Sequence, residues 1–260
     1  MVKSTLPSKP LNILGINAPL LDYTTCLSLF TIWVKKREKH QVCIANVHTV
    51  VESQFDTTLK AINNKSLVTL DGLPLVWYAK AVLKAPIKER VCGPELMLRA
   101  LDHGREHGWK HFFLGGTEEV LKDLVTEMEL RYPGVNIVGW HSPPFRPLSK
   151  TEDTQLVRLI NTQRPDFLWV GLGAPKQEKW IASHLHRVKA TVQLGVGAAF
   201  DFHSGHVKRA PEWMQKRGLE WFYRILQDRR LLKRYCVTNP IFVLCFFRDL
   251  INIRLLKRNP

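Results

Sequence analysis

Short runs of β-branched and aromatic residues recur along this chain with longer amphipathic stretches between them. The runs are Val42–Ala45, Leu67–Leu70, His111–Leu114, Val135–Val138, Phe167–Val170 and Thr191–Val196. Short, nearly continuous apolar runs suit strands covered on both faces, and the longer periodic stretches suit the helices that cover them. The intervening Val50–Asn63, Pro94–His107, Glu118–Tyr132 and Thr151–Gln163 are long enough to be helices. Parallel neighbours need such crossovers, so the alternation predicts an α/β fold, doubly wound on a mainly parallel sheet.

From Pro211 the pattern changes to near-continuous helical sequence. Trp213, Leu219, Trp221, Phe222, Ile225 and Leu226 are interleaved there with Arg217, Arg224, Arg229, Arg230, Lys233 and Arg234. The expected organisation is a catalytic core over residues 1–210 and a basic helical appendage over 211–260. At 260 residues, 45% hydrophobic and 23% charged, the chain has the composition of a globular protein with a real core.

The formal net charge is +15, and residues 206–260 hold 13 Lys and Arg against 4 Asp and Glu. That end seeks an anion, and nucleic acid, anionic lipid and polyphosphate all satisfy such a surface. The most apolar run, Ile241–Phe247, is far below the ~20 residues a membrane-spanning helix needs, so no single-helix crossing is expected. The five cysteines are scattered and form no C-x-x-C pair, which argues against a zinc ribbon or a disulfide framework and fits a reducing compartment. Met1–Pro10 has no apolar run of signal-peptide length behind its lysines, so a cytoplasmic protein is expected.

Group transfer from a nucleotide donor needs a base, a clamp on the leaving diphosphate and a pocket. Three segments supply candidates. The first is Asn46-Val47-His48-Thr49 after one strand, with Asp71-Gly72-Leu73-Pro74 after the next. Loops leaving the carboxyl ends of parallel strands share one side of a sheet, so Thr49 and Asp71 are expected to meet. Asp71 is the carboxylate chosen as general base, with His48 its rival. A helix N-cap or Asx turn before Gly72 is the structural alternative for Asp71, and helix capping is that for Thr49.

The second segment is Gly171-Leu172-Gly173-Ala174-Pro175-Lys176-Gln177-Glu178, whose glycines admit close backbone approach and whose Gln177 both donates and accepts hydrogen bonds. A tight joint with Pro175 as the first helical residue explains the same sequence. The third is Gly195–Phe202, followed by Gly205 and Arg209-Ala210-Pro211, in which Gly197 permits close approach and Asp201 binds hydroxyls or fixes a turn. Gly115-Gly116 is a further strand-end turn, ahead of a helix start at Thr117. No G-x-G-x-x-G or P-loop motif occurs, which disfavours a dinucleotide oxidoreductase or a P-loop ATPase. No D-x-D triplet occurs either, so a metal-independent mechanism is expected, with appendage arginines clamping the leaving group.

Taken in order and spacing, these segments resemble the WecG/TagA/CpsF family of glycosyltransferases over nearly the whole chain. The matching pieces are Asn46–Thr49, Asp71-Gly72 with Pro74 and Val76-Trp77, Arg90-Val91 with Gly93, Pro143-Pro144-Phe145, Gly171–Glu178 with Trp180, Gly195–Phe202, Arg209-Ala210-Pro211, and Gly218-Leu219-Glu220-Trp221 with Arg224. The resemblance implies a Rossmann-like core and an appendage that helps complete the active site and associates with membrane. It implies an inverting, metal-independent hexosyltransferase that uses a UDP-sugar as substrate and no cofactor. The sugar implied is N-acetylmannosamine, its uronic acid or glucose, passed to a polyprenyl-diphosphate-linked saccharide in cell-surface polysaccharide biosynthesis. The wording Pro74-Leu75-Val76-Trp77 tilts toward an exopolysaccharide-type relative.

Under the resemblance Asp71 matches the catalytic base, Thr49 a substrate-pocket residue and Gln177 a residue near the sugar. Asn46, Gly173, Glu178, Gly197, Asp201 and Arg209 complete the expected substrate-binding set. Arg224 and Arg234 match phosphate-binding arginines. The family's acidic-residue-proline step is replaced here by Asp228-Arg229-Arg230, so Arg230 and Arg234 are alternatives in register. The expected place of action is the inner face of the cytoplasmic membrane, with the appendage as a peripheral anchor or a homo-oligomer interface. Nucleic acid is not an expected partner. A basic α/β nucleic-acid-binding protein and a non-catalytic sugar-nucleotide-binding module are the competing readings, the first requiring salt-sensitive oligonucleotide affinity.

Overall fold

The computed structural model describes residues 9–256. A small antiparallel hairpin, β1 (Leu11–Ile13) and β2 (Ile16–Ala18), opens the chain. There follow α1 (Tyr23–Lys36), β3 (His40–Ala45), α2 (Val47–Phe55), α3 (Thr57–Lys65), β4 (Leu67–Leu70), α4 (Leu73–Ala81) and α5 (Gly93–His107). The chain continues with β5 (Lys110–Gly115), α6 (Glu118–Arg131), β6 (Asn136–His141), α7 (Lys150–Gln163), β7 (Phe167–Gly171), α8 (Lys176–His184), β8 (Val192–Gly195) and α9 (Ala199–His203). Three helices close it: α10 (Glu212–Lys216), α11 (Glu220–Gln227) and α12 (Leu231–Leu256).

The main sheet is parallel, with strand order β4-β3-β8-β7-β5-β6, and helices flank it in a Rossmann-like α/β arrangement. Every expected strand is present, most of them lengthened by a residue or two. β6 starts at Asn136 and runs on to His141, later than the β-branched run suggested. The expected helix Val50–Asn63 is two helices. Asp56 separates them: its N–H bonds the Glu52 carbonyl at the end of α2, and its carboxylate accepts from the Leu59 N–H at 2.9 Å to cap α3. A short acidic side chain that satisfies its own backbone overrides an otherwise helical periodicity.

The chain forms two compact units. One comprises Tyr23–Cys43 and Gly93–Val207 and holds five strands, from the greater part of β3 through β8, β7, β5 and β6. Its strands are apolar throughout because both faces are covered. Phe112, Leu114, Leu168 and Val170 pack with Leu156, Ile160 and Ile181 from α7 and α8, while Phe30, Trp33 and Phe167 are also fully buried. Asp166 ties its strand starts together, accepting from the Lys110 N–H at 2.9 Å and pairing with Arg37, while its carbonyl receives the Thr191 and Val192 N–H groups.

The other unit comprises the residues up to Asp22, Ile44–Cys92, and the chain from Lys208 onward. Its core includes Val50, Val51, Leu59, Leu75, Tyr78, Ala79, Met214 and Phe242. Residues 211–256 are helical as expected, with breaks at Arg217–Leu219 and Asp228–Arg230. The expectation drawn from Ile241–Phe247 needs correction. α12 runs for 26 residues, and its Leu231–Ile253 stretch, which contains an 18-residue window of mean hydropathy 1.4, is long and apolar enough to cross a membrane by length and composition. Counting one uninterrupted apolar run missed this, because apolar residues resume at Leu250 and Ile251 beyond Arg248 and Asp249 in the same helix.

Candidate active site

In the unit that holds Ile44–Cys92, Asn46 follows the last residue of β3 and caps α2. Its side-chain oxygen accepts from the Thr49 N–H at 3.1 Å and lies 3.3 Å from the Thr49 hydroxyl. The cap is therefore Asn46, while Thr49 sits three residues into the helix with its hydroxyl turned to the cap and only 2% exposed. Asp71 directly follows β4, anchored by its N–H on the Ala45 carbonyl at 2.7 Å. The ends of β3 and β4 are thus joined at the backbone between Ala45 and Asp71. The N-cap of α4 is Gly72, at φ 114°, whose carbonyl takes the Leu75 and Val76 N–H groups, so Asp71 stands one residue before the cap. Asp71 is half-buried at the mouth of the turn.

α12 packs along α2 and brings Arg234 toward His48. Burial, assisted by the Arg234 charge, pushes the His48 pKa down to about 4, so this imidazole is neutral at neutral pH. Its Nδ1 lies 3.8 Å from Glu52. The first turn of α2 contains no acidic residue. A helix N-terminus without carboxylates and beside a guanidinium is electrostatically suited to an anion.

The remaining appendage arginines sit differently. Arg224 is half-buried on α11. Arg230 is exposed and forks onto Asp228, with contacts of 2.9 and 3.1 Å. Arg209 contacts Glu220 at 3.3 Å and the Cys92 sulfur at 3.4 Å, and Arg90 reaches the other Glu220 oxygen at 3.3 Å. Glu220 is thus shared by two arginines. Arg90 belongs to one of the matching pieces but carries no expected role from sequence, because only the fold shows that Arg90-Val91, Arg209-Ala210 and Gly218–Trp221 converge on one carboxylate.

In the unit that holds Gly93–Val207, the second and third segments converge. Gln177, 4% exposed, accepts from the Gly197 N–H at 3.1 Å and donates to Glu178 at 2.9 Å. Glu178 is 1% exposed, and its carbonyl accepts from Gln41 at 2.9 Å. A side chain at Gly195 would press within 2.7 Å of the Gln177 amide, so the close packing requires glycine there. α8 begins at Lys176, which makes Pro175 the N-cap residue and corrects its expected place as the first helical residue. Gly173, at φ 76°, is exposed with open space beside it. Asp201 lies in α9 and receives the Val207 N–H on its carbonyl at 3.0 Å.

The carboxylate of Glu178 in the first turn of α8 makes this turn a poor host for phosphate and a better one for hydroxyls. The Gly115-Gly116 turn is likewise unsuited to an anion, since Glu118 and Glu119 open α6 behind the Thr117 cap. Among the described residues no group of three or more His, Cys, Asp or Glu is placed to hold a metal ion.

A parallel α/β sheet with flanking helices defines a Rossmann-like protein. The chain belongs to the WecG/TagA/CpsF glycosyl transferase family, whose model matches residues 11–255. It is similar to the N-acetylglucosaminyldiphosphoundecaprenol N-acetyl-beta-D-mannosaminyltransferases of Staphylococcus aureus strains MW2 and NCTC 8325 / PS 47. Each is 35% identical over 185 residues, 71% of this chain and 70% of the relative.

Proposed function

We propose that this enzyme transfers a hexose-type sugar of the N-acetylmannosamine class from UDP to a hydroxyl of a polyprenyl-diphosphate-linked saccharide, with inversion and without a metal, in cell-surface polysaccharide synthesis. Asp71 takes the proton of the acceptor hydroxyl as that oxygen bonds to the anomeric carbon. The bond from that carbon to the UDP oxygen breaks, and UDP departs with the electron pair. The start of α2, Arg234 and Arg224 stabilise the charge that develops on the diphosphate. Within the other unit, the exposed backbone at Gly173 is available to hydroxyls.

The observation that carries this reading is the placement of Asp71. It is half-buried and fixed by its backbone to the end of β3, in the unit that also holds the Asn46–Thr49 turn and Arg234. The acceptor and sugar classes follow the names of the relatives, which contain N-acetylglucosaminyldiphosphoundecaprenol and N-acetyl-beta-D-mannosaminyl. A panel of UDP-sugars offered with short-chain lipid-diphosphate-GlcNAc and its glucose counterpart tests it. Transfer of N-acetylmannosamine to the GlcNAc lipid is expected, and UDP-sugar binding without transfer to any acceptor would favour the non-catalytic module.

The same reading places the enzyme at the inner membrane face. Trp221, Phe222, Leu226, Val237, Leu244 and Phe247 are exposed on α11 and α12, close in sequence to Arg229, Arg230 and Lys233. Apolar side chains with basic neighbours suit helices lying in the interface of an anionic bilayer. Co-sedimentation with anionic vesicles that weakens in Leu244→Asp/Phe247→Asp is the expected result; unchanged partitioning would assign this surface to a second copy of the chain.

A further inference from the structure

α12 carries two different faces. Val237, Leu244, Phe247 and Ile251 are exposed, whereas Thr238 and Phe242 are buried and Asp249 is largely covered. The covered face meets α4. Tyr78, 3% exposed, donates its phenol proton to Asp249 Oδ2 at 2.7 Å, and Arg248 holds the other carboxylate oxygen at 2.8 Å. The Tyr78 ring lies 6.2 Å from that of Phe242 and 6.0 Å from that of Phe246. Burial, together with the Asp249 carboxylate, raises the phenol's pKa, so Tyr78 remains a donor across the working pH range.

α4 is the helix that Asp71-Gly72 opens, and its first turn is held through the Leu75 and Val76 N–H groups on the Gly72 carbonyl. α4 also packs on β1 and on the bend between α10 and α11, where a side chain at Gly218 would meet the Trp77 ring at 3.1 Å. The turn bearing Asp71 is held on one side by the Asp71 N–H on the Ala45 carbonyl and on the other runs directly into α4. That helix is pinned from 171 residues away. We propose that Tyr78 and Asp249 are positioning residues, a hydrogen-bonded latch by which α12 fixes α4 and with it the carboxylate of Asp71. A buried bond between a neutral donor and a carboxylate is directional and stronger than a neutral pair, which suits it to setting the angle of a short helix. This inference rests on Asp71 being the base.

The test uses the full chain with Tyr78→Phe, Asp249→Ala, their combination, and Asp249→Asn, which still accepts from the phenol. Backbone hydrogen exchange is read first because it needs no activity. Tyr78→Phe and Asp249→Ala are expected to speed exchange at Leu75 and Val76 while the α6 amides stay at wild-type rates. In the transfer assay each single variant is expected to lose about tenfold in kcat with UDP affinity kept within about twofold. The combined variant should be no worse than either single, as for two halves of one interaction. Asp249→Asn should keep at least about a third of wild-type turnover, since the hydrogen bond survives the loss of charge.

Unchanged exchange at Leu75 and Val76 in both single variants, or losses that add in the combination, would overturn the latch. Loss of exchange protection in α6 as well would also overturn it, because it marks general destabilisation. If the exchange result holds while Asp71→Asn keeps full turnover, the latch stands and the assignment of Asp71 as base falls.

Discussion

The turns that follow β3 and β7 are built from similar parts and end in opposite chemistry. After β3, Asn46 caps α2, no acidic residue occupies the first turn, and burial, assisted by the Arg234 charge, suppresses the protonation of His48. After β7, the helix start is filled by Gln177 and by a carboxylate that is 1% exposed, and Gln177 is spent on Gly197 and Glu178. The first turn is electrostatically open to an anion. The second is a finished hydrogen-bonded structure that displays glycine backbone. Under the proposed function the contrast separates recognition of a leaving diphosphate from recognition of sugar hydroxyls, and it rests on whether a carboxylate stands in the first turn.

The largest effect expected concerns the residue that neither turn contains. Asp71→Asn should lower transfer by about a thousandfold while the thermal midpoint stays within a few degrees, since the substitution keeps the shape and removes the base. Turnover near wild type, measured with the lipid acceptor, would move the base elsewhere. Next, Arg234→Ala should weaken UDP binding by about tenfold to a hundredfold in calorimetry, through loss of a charge-assisted contact. Equal affinity in that variant would dissolve the electrostatic half of the comparison.

The structural half is tested by Gln177→Ala. It leaves the Gly197 N–H and a Glu178 oxygen without this partner in a buried place, at a cost of about 1–3 kcal/mol in urea unfolding. A variant as stable as wild type would mean that the turn is not held by its own side chains. His48 supplies a smaller, pH-dependent term. Its pKa falls from about 6.5 when unfolded to about 4 when folded, so the unfolded chain binds the extra proton between these values and stability declines as pH falls through that window. His48→Gln should flatten the decline of unfolding free energy between pH 6.5 and 4. The least effect belongs to Arg230→Ala. This side chain is exposed and paired only locally with Asp228, and transfer within about twofold of wild type is expected.

What the sequence disclosed divides along the same physical lines. The strands and most helices were legible because burial on both faces leaves apolar runs, as in Phe167–Val170. Strand ends marked by Asn46, Asp71 and Gly171 were legible because turn chemistry is local. The β1–β2 hairpin was not. Its turn places Leu14 at φ 48° before Gly15 at φ 82°, and leucine carries none of the usual preference for such a backbone. Asp56 reads as an ordinary helical surface residue until its two capping bonds are seen. The Tyr78–Asp249 and Arg90–Glu220–Arg209 contacts join residues more than a hundred positions apart, except for the Arg209–Glu220 step, and side chains that distant leave no mutual periodicity. Reading α12 by its longest apolar run also understated it, since one face of a helix can be apolar over a length that no uninterrupted run reveals.

The chain passes from one compact unit to the other at Asp22–Tyr23, Cys43–Ile44, Cys92–Gly93 and Val207–Lys208. A gene for such a protein cannot be divided by a single breakpoint without splitting at least one unit between two parents. Recombination between relatives would tend to produce mismatched cores, and grafting residues 211–260 from another member would replace Met214, Thr238 and Phe242, which are buried in this interior. Diversification of this enzyme is therefore expected to proceed by point substitution within individual turns, with the interleaved scaffold inherited whole.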